Sequence, residues 1–190
     1  MTLIAVSYLS CTIGYMSRIF ITILLVAFTS CKEVSYKEPQ PKGKPVLKEI
    51  PRELRGKYLL LEENGTNKDT LIVSANGYYI RADSTKGTLG DSLVLKKYKG
   101  YYFFNDNENP EWLLRVIKKE SNGDLSYLYM DSGEQSFNDF LFELTKEIKI
   151  DSSEVGNKTL YQIDPTPKEL LSLIKKGYFR KSITLKKLKD

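Results

Sequence analysis

The chain holds 190 residues, 41% of them hydrophobic, with a formal net charge of +5 and no histidine. That length and apolar content allow one ordinary domain with a packed core, and a mean hydropathy of −0.35 excludes a polytopic membrane protein. Without histidine, a Ser–His or Cys–His nucleophile pair is excluded, and the commonest metal ligand is missing.

The charge is unevenly spread. Residues 1–31 carry one charged side chain, Arg18, whereas Pro165–Asp190 holds eight Lys or Arg against two acids. A basic tail can meet phosphate or a membrane surface. No nucleic-acid motif accompanies it, so it reads as a solvated helix face followed by a lysine-protected edge strand. The two cysteines, Cys11 and Cys31, supply no disulfide framework and no zinc ligand set.

At the N-terminus, Ile19–Phe28 is a ten-residue apolar run behind Arg18. It is shorter than the roughly 20 residues of a membrane span and has the form of a signal-peptide core. Residues 1–15 lack a charged n-region, so Met16 is the expected start of translation. The run ends in Phe28-Thr29-Ser30-Cys31, which resembles the bacterial lipobox. That resemblance implies cleavage before Cys31, lipidation of its thiol and anchoring in the cell envelope, with the outer membrane as the expected site. The Cys31-Lys32-Glu33 start is similar to the lysine-plus-acid export signals of Bacteroidota surface lipoproteins. Residues 31–50 are rich in charge and proline, with Pro39, Pro41 and Pro45, and show no apolar period. They read as a flexible tether. The expected organisation is therefore signal peptide (1–30), lipidated cysteine and tether (31–50), and a folded domain (51–190).

The folded part reads as strand after strand: Lys57–Glu63, Asp69–Ser74, Tyr78–Ala82, Asp91–Tyr98, Tyr101–Asn105, Trp112–Lys119 and Leu125–Met130. Asn76-Gly77 between two β-rich runs is a hairpin signal, and Lys99-Gly100 and Asn122-Gly123 mark further turns. Short connections make this an antiparallel meander. Between Ser136 and Glu147, Phe137, Phe140, Leu141 and Leu144 fall at helical spacing, while Phe140, Phe142 and Leu144 also alternate. This predicts a short helical or irregular start passing into a strand that ends near Ile150. Residues 159–164 predict another strand. Thr166, Pro167 and Glu169 then spell an N-cap, an N1 proline and a capping box, with Gly177 as the stop. A basic strand, Ser182–Leu188, finishes the chain.

This order of elements over residues 51–190 resembles the lipocalin or wider calycin architecture. Gly56-Lys57-Tyr58 stands where lipocalins carry Gly-x-Trp, with Tyr in place of Trp. The fold class the resemblance implies is mainly β, an antiparallel meander closed as a lipocalin-like barrel, with a C-terminal helix and a final short strand. Such closure would leave no bare sheet edge. An open β-sandwich is the competing arrangement.

An eight-stranded barrel has room for one small ligand. Tyr79, Tyr102, Phe104, Trp112, Leu114, Tyr127 and Tyr129 are candidates for its lining, although a one-residue slip in register would reverse each of them. The plainer reading of the same residues is core, or the outer aromatic surface of the strands. Asn105–Asn109 clusters oxygen ligands but lacks the glycine and the final glutamate of a calcium loop, and reads as a hairpin loop. Asp69-Thr70, Asp83-Ser84 and Asp91-Ser92 resemble the O-glycosylation acceptors of Bacteroidota envelope proteins, and are equally ordinary turn chemistry. Glu62-Glu63 would face opposite ways on a strand. No active site, metal or cofactor is expected.

Two readings of function follow. One is a lipid-anchored envelope protein, non-catalytic and monomeric, that binds a small apolar or amphipathic molecule and no nucleic acid. The other is a protein–protein interaction module, an inhibitor or accessory subunit, with a filled core. A cavity of a few hundred Å³ decides between them.

Overall fold

The computed structural model describes residues 33–62, 67–82, 84–90, 92–130, 135–155 and 158–188. The expected signal peptide and Cys31 lie outside the described residues. Among those described, no helix is long and apolar enough to cross a membrane.

The protein is mainly β. In chain order the strands are β1 (Val34–Tyr36), β2 (Gly56–Glu62), β3 (Asn67–Val73), β4 (Gly77–Ile80), β5 (Lys86–Thr88), β6 (Leu93–Tyr98), β7 (Tyr101–Asn107), β8 (Trp112–Lys119) and β9 (Leu125–Met130). Helix α1 (Phe137–Thr145) follows, then β10 (Ile150–Val155), β11 (Lys158–Ile163), helix α2 (Pro167–Lys175) and β12 (Phe179–Lys187). The predicted strands appear at their places, with Trp112–Lys119 and Leu125–Met130 matching at both ends. In the ambiguous segment the helical period wins. Ser136 caps α1 by accepting from the Asp139 amide, and Phe140 and Leu144 are buried. The strand expected to end near Ile150 begins there instead.

The sheet runs β6–β7–β8–β9–β12–β2–β3–β4–β5 through antiparallel neighbours. A branch leaves β8 at Tyr36↔Trp112 and continues through β1, parallel β11 and β10. The basic strand β12 lies between β9 and β2, so it is central and not an edge. Strand parity sends Leu185 into the core and Lys186 to the other face, and Lys187 is exposed at the end of the strand.

The sheet is not closed into a barrel, which corrects the expected closure. Strand β5 has three residues and supplies three pairs to β4. Between β5 and β6 there is one isolated bridge, Leu89↔Leu93, among the described residues. The free edge of β6 has another partner. Val46 bridges Lys96, the Leu47 amide donates to Leu95 O at 2.8 Å, and the Ile50 amide donates to Ala75 O at 2.8 Å. Val46 and Leu47 thus pair with the β6 edge, and Ile50 ties the same segment to the turn between β3 and β4.

This overturns the expectation of a flexible tether for residues from Glu33 to Ile50. Their few apolar side chains carry the docking: Val34, Tyr36 and Ile50 are buried. The proline-rich part is held by polar contacts. Lys96 Nζ donates to Pro39 O (2.7 Å) and Pro41 O (3.1 Å). The Asn105 side chain accepts from the Gln40 amide at 2.7 Å and donates to Gln40 O at 2.9 Å. Glu33–Asp190 accordingly form one compact unit.

Two cores result. On one face of β7–β9, helices α1 and α2 pack Phe140, Leu144, Leu170 and Leu173 onto Phe103, Leu114 and Val116. The capping box of α2 is complete, with Thr166 and Glu169 bonding each other's backbone. Gly177 sits at φ +83°, where a side chain would be strained. On the opposite, concave face, Tyr58, Leu60, Leu71, Tyr102, Ile117, Leu125 and Leu185 form the second core.

Candidate functional site

The concave core is incompletely filled. It leaves a partly open cavity of about 410 Å³. Strand alternation decides what faces it. On β8, Leu113, Arg115 and Ile117 line the cavity, while Leu114 and Val116 point to the helices. On β7 the inward residues are Phe104 and Asp106; on β9 they are Leu125 and Tyr127. Strands β2, β3 and β12 add Leu60, Leu71, Val73, Ile183 and Leu185. Leu60, Ile117, Leu125 and Leu185 are buried, whereas Lys86, Ser92, Asn107 and Glu108 are exposed and mark the open side.

The cavity lining also holds a polar group. Register pairs Asp106 with Leu113 and Phe104 with Arg115, so Asp106 and Arg115 are diagonal neighbours on one face. Tyr78 Oη donates to Asp106 Oδ1 at 3.2 Å. Arg115 makes a two-point contact with the Glu33 carboxylate through Nη1 and Nη2, the latter at 3.1 Å. Its guanidinium also lies 5.6 Å from the Tyr129 ring centroid. Burial pushes the Asp106 carboxyl above the usual carboxylate range, with Arg115 opposing it. Burial also raises the Tyr127 phenol to about 12, against the opposing pull of Arg115. For Arg115 burial works against the charge, but Tyr127, Glu33 and Asp106 outweigh it, and the guanidinium stays ionised.

The structure brings together some of the sequence candidates and separates others. Phe104 and Tyr127 line the cavity. Tyr102 shares the concave core and donates to Glu53 at 2.6 Å. Tyr129 packs against Tyr127 with the rings tilted 58° and their centroids 6.3 Å apart. Trp112 and Leu114 face the helices, one residue out of phase with the cavity, and Tyr79 is exposed on the convex side. Arg115, Asp106 and Tyr78 were missed. The signal for Arg115 was present: one cation at an inward position between Leu113 and Ile117. Asp106 was hidden because its strand runs two residues further than expected, to Asn107.

The Asn105–Asn109 segment divides likewise. Asn105 is buried and holds Gln40, Asp106 faces the cavity, and Asn107 Oδ1 accepts from the Asn109 amide. Among the described residues, no group of three or more cysteines or acids is placed to hold a metal. Of the three Asp-Ser/Thr sites, Thr70 lies within β3, and Ser84 and Ser92 are exposed; Asp83 and Asp91 lie outside the described residues. Compared with protein-family models, with curated proteins and with solved structures, the chain matches none.

Proposed function

We propose that this is a lipid-anchored cell-envelope protein that binds a small apolar or amphipathic molecule, without catalysis, inside a lipocalin-like cup. The cavity carries the reading: about 410 Å³, walled by leucine, isoleucine, valine and aromatic side chains. Ligand pockets of roughly 300–1,000 Å³ have this composition, with a few polar groups to fix orientation. The interaction-module alternative needs a filled core, which the concave side lacks. In such a cup, Val46 and Leu47 pair with the β6 edge where a closing ladder would run.

The anchor half rests on the lipobox-like Phe28-Thr29-Ser30-Cys31. One acyl chain holds a protein marginally, and two or more, at roughly 0.8 kcal/mol per buried CH₂, hold it stably. Gentle extraction from membranes followed by native mass spectrometry tests both halves. The expected spectrum shows a Cys31-lipidated chain with one further non-covalent mass. A chain that repeatedly carries no bound mass defeats the binding reading, and an unlipidated Cys31 defeats the anchor.

A further inference from the structure

The polar group in the cavity has a sign. Arg115 is the cation that a carboxylate or phosphate head would seek, and it is already engaged. Glu33, at the foot of β1, meets it with both carboxylate oxygens, and Tyr129 lies against its other side. Glu33 is held there because Val34, Ser35 and Tyr36, which follow it, are buried. An anionic head would have to expel Glu33 and would also meet Asp106.

Asp106 is differently placed. It lines the cavity and accepts from Tyr78 through one oxygen. An ionised carboxylate has about four acceptor sites, so this bond leaves capacity facing the ligand space. Asp106, Arg115 and Glu33 together carry one net negative charge. Lys86 and Glu108, on the exposed rim, cancel each other. The Phe104 and Tyr127 rings also line the cavity, and an aromatic face favours a cation over an anion.

We propose that the molecule bound in the cavity is an amphiphile with an ammonium head, whose charged group pairs with Asp106 while its apolar body lies along Leu60, Leu71, Leu125 and Leu185. This rests on the cavity being a ligand site, and the test keeps the two failures apart. Dodecylamine, dodecanol and dodecanoate are titrated below their micelle thresholds against a bound apolar fluorescent reporter, with wild type, Asp106→Asn and Glu33→Gln. The amine is expected to bind about tenfold more tightly than the alcohol, the scale of one charge-assisted hydrogen bond, and the carboxylate more weakly than both. Asp106→Asn removes the advantage of the amine over the alcohol. Glu33→Gln releases Arg115 and raises dodecanoate affinity, and it keeps the test open should Asp106→Asn not fold. Equal affinity of the three amphiphiles, tightest binding of dodecanoate to wild type, or no gain by Glu33→Gln overturns the head-group inference and spares the cavity. Binding of none of them overturns the cavity reading itself.

Discussion

Asn105→Ala probes the docking of the N-terminal segment at one point. The Asn105 amide serves both backbone groups of Gln40, accepting from its N–H at 2.7 Å and donating to its carbonyl at 2.9 Å. It also donates to Val94 O and Phe103 O at 3.1 Å each. Asn105 and Gln40 are both 0% exposed, so water does not replace what alanine removes. Each buried backbone group left unpaired costs about 1–3 kcal/mol. For the two Gln40 groups the sum is about 2–6 kcal/mol; local release of residues 37–44 would rehydrate part of the loss, so the lower half applies, about 2–4 kcal/mol. Urea denaturation read at constant m-value gives the cost. Amide exchange gives its location, because protection at Gln40 should vanish while Leu47 and Ile50 keep theirs through Leu95 O and Ala75 O. A cost below about 0.5 kcal/mol, the level of an ordinary surface change, together with unprotected amides at 34–50 in the wild type, would refute the docking and restore a tether.

Other perturbations address the rest of the fold. Leu170→Ala removes a fully buried contact between α2 and the sheet and should cost about 2–5 kcal/mol in urea unfolding; a neutral result would mean that α2 is not packed there. Thr166→Ala removes the half of the capping box in which Thr166 Oγ1 accepts from the Glu169 amide and should cost about 1 kcal/mol, with Thr166→Ser recovering most of it. In alkali, the Tyr127 phenol, held near 12 in the fold against 10.0 for a freely solvated tyrosine, binds its proton more tightly folded than unfolded. Stability should therefore be level below pH 10, fall by about 1.4 kcal/mol per pH unit between pH 10 and about 12, and level off beyond, for this one tyrosine. Tyr127→Phe should flatten that fall, as followed by unfolding midpoints and tyrosinate absorbance.

Much of this fold was legible because it is written locally. The Thr166–Glu169 cap, the Asn76-Gly77 turn and the long alternating strands each depend on neighbours a few residues apart. What escaped depends on distant partners. Strand β1 has three residues and looks polar, yet Val34 and Tyr36 are buried through pairing with β11 and β8. Pro39 and Pro41 read as linker chemistry, whereas their carbonyls are ligands for Lys96, more than fifty residues away. Closure failed for the same reason, since only the folded chain shows Val46 and Leu47 pairing with the β6 edge. The site was half legible. Alternation along β7 and β9 gives the correct parity at Phe104 and Tyr127. On β8, register sends Arg115 into the cavity and Trp112 and Leu114 away from it.

The central claim is that the concave core, and not the helix-side core, admits a ligand. Methyl NMR of the isoleucine, leucine and valine side chains during titration with dodecylamine or dodecanol tests it most directly. The account predicts saturable shifts at Leu60, Leu71, Ile117, Leu125 and Leu185, with Leu144, Leu170 and Leu173 unmoved. Shifts of equal size in both sets, or none up to the solubility limit of both amphiphiles, would contradict it.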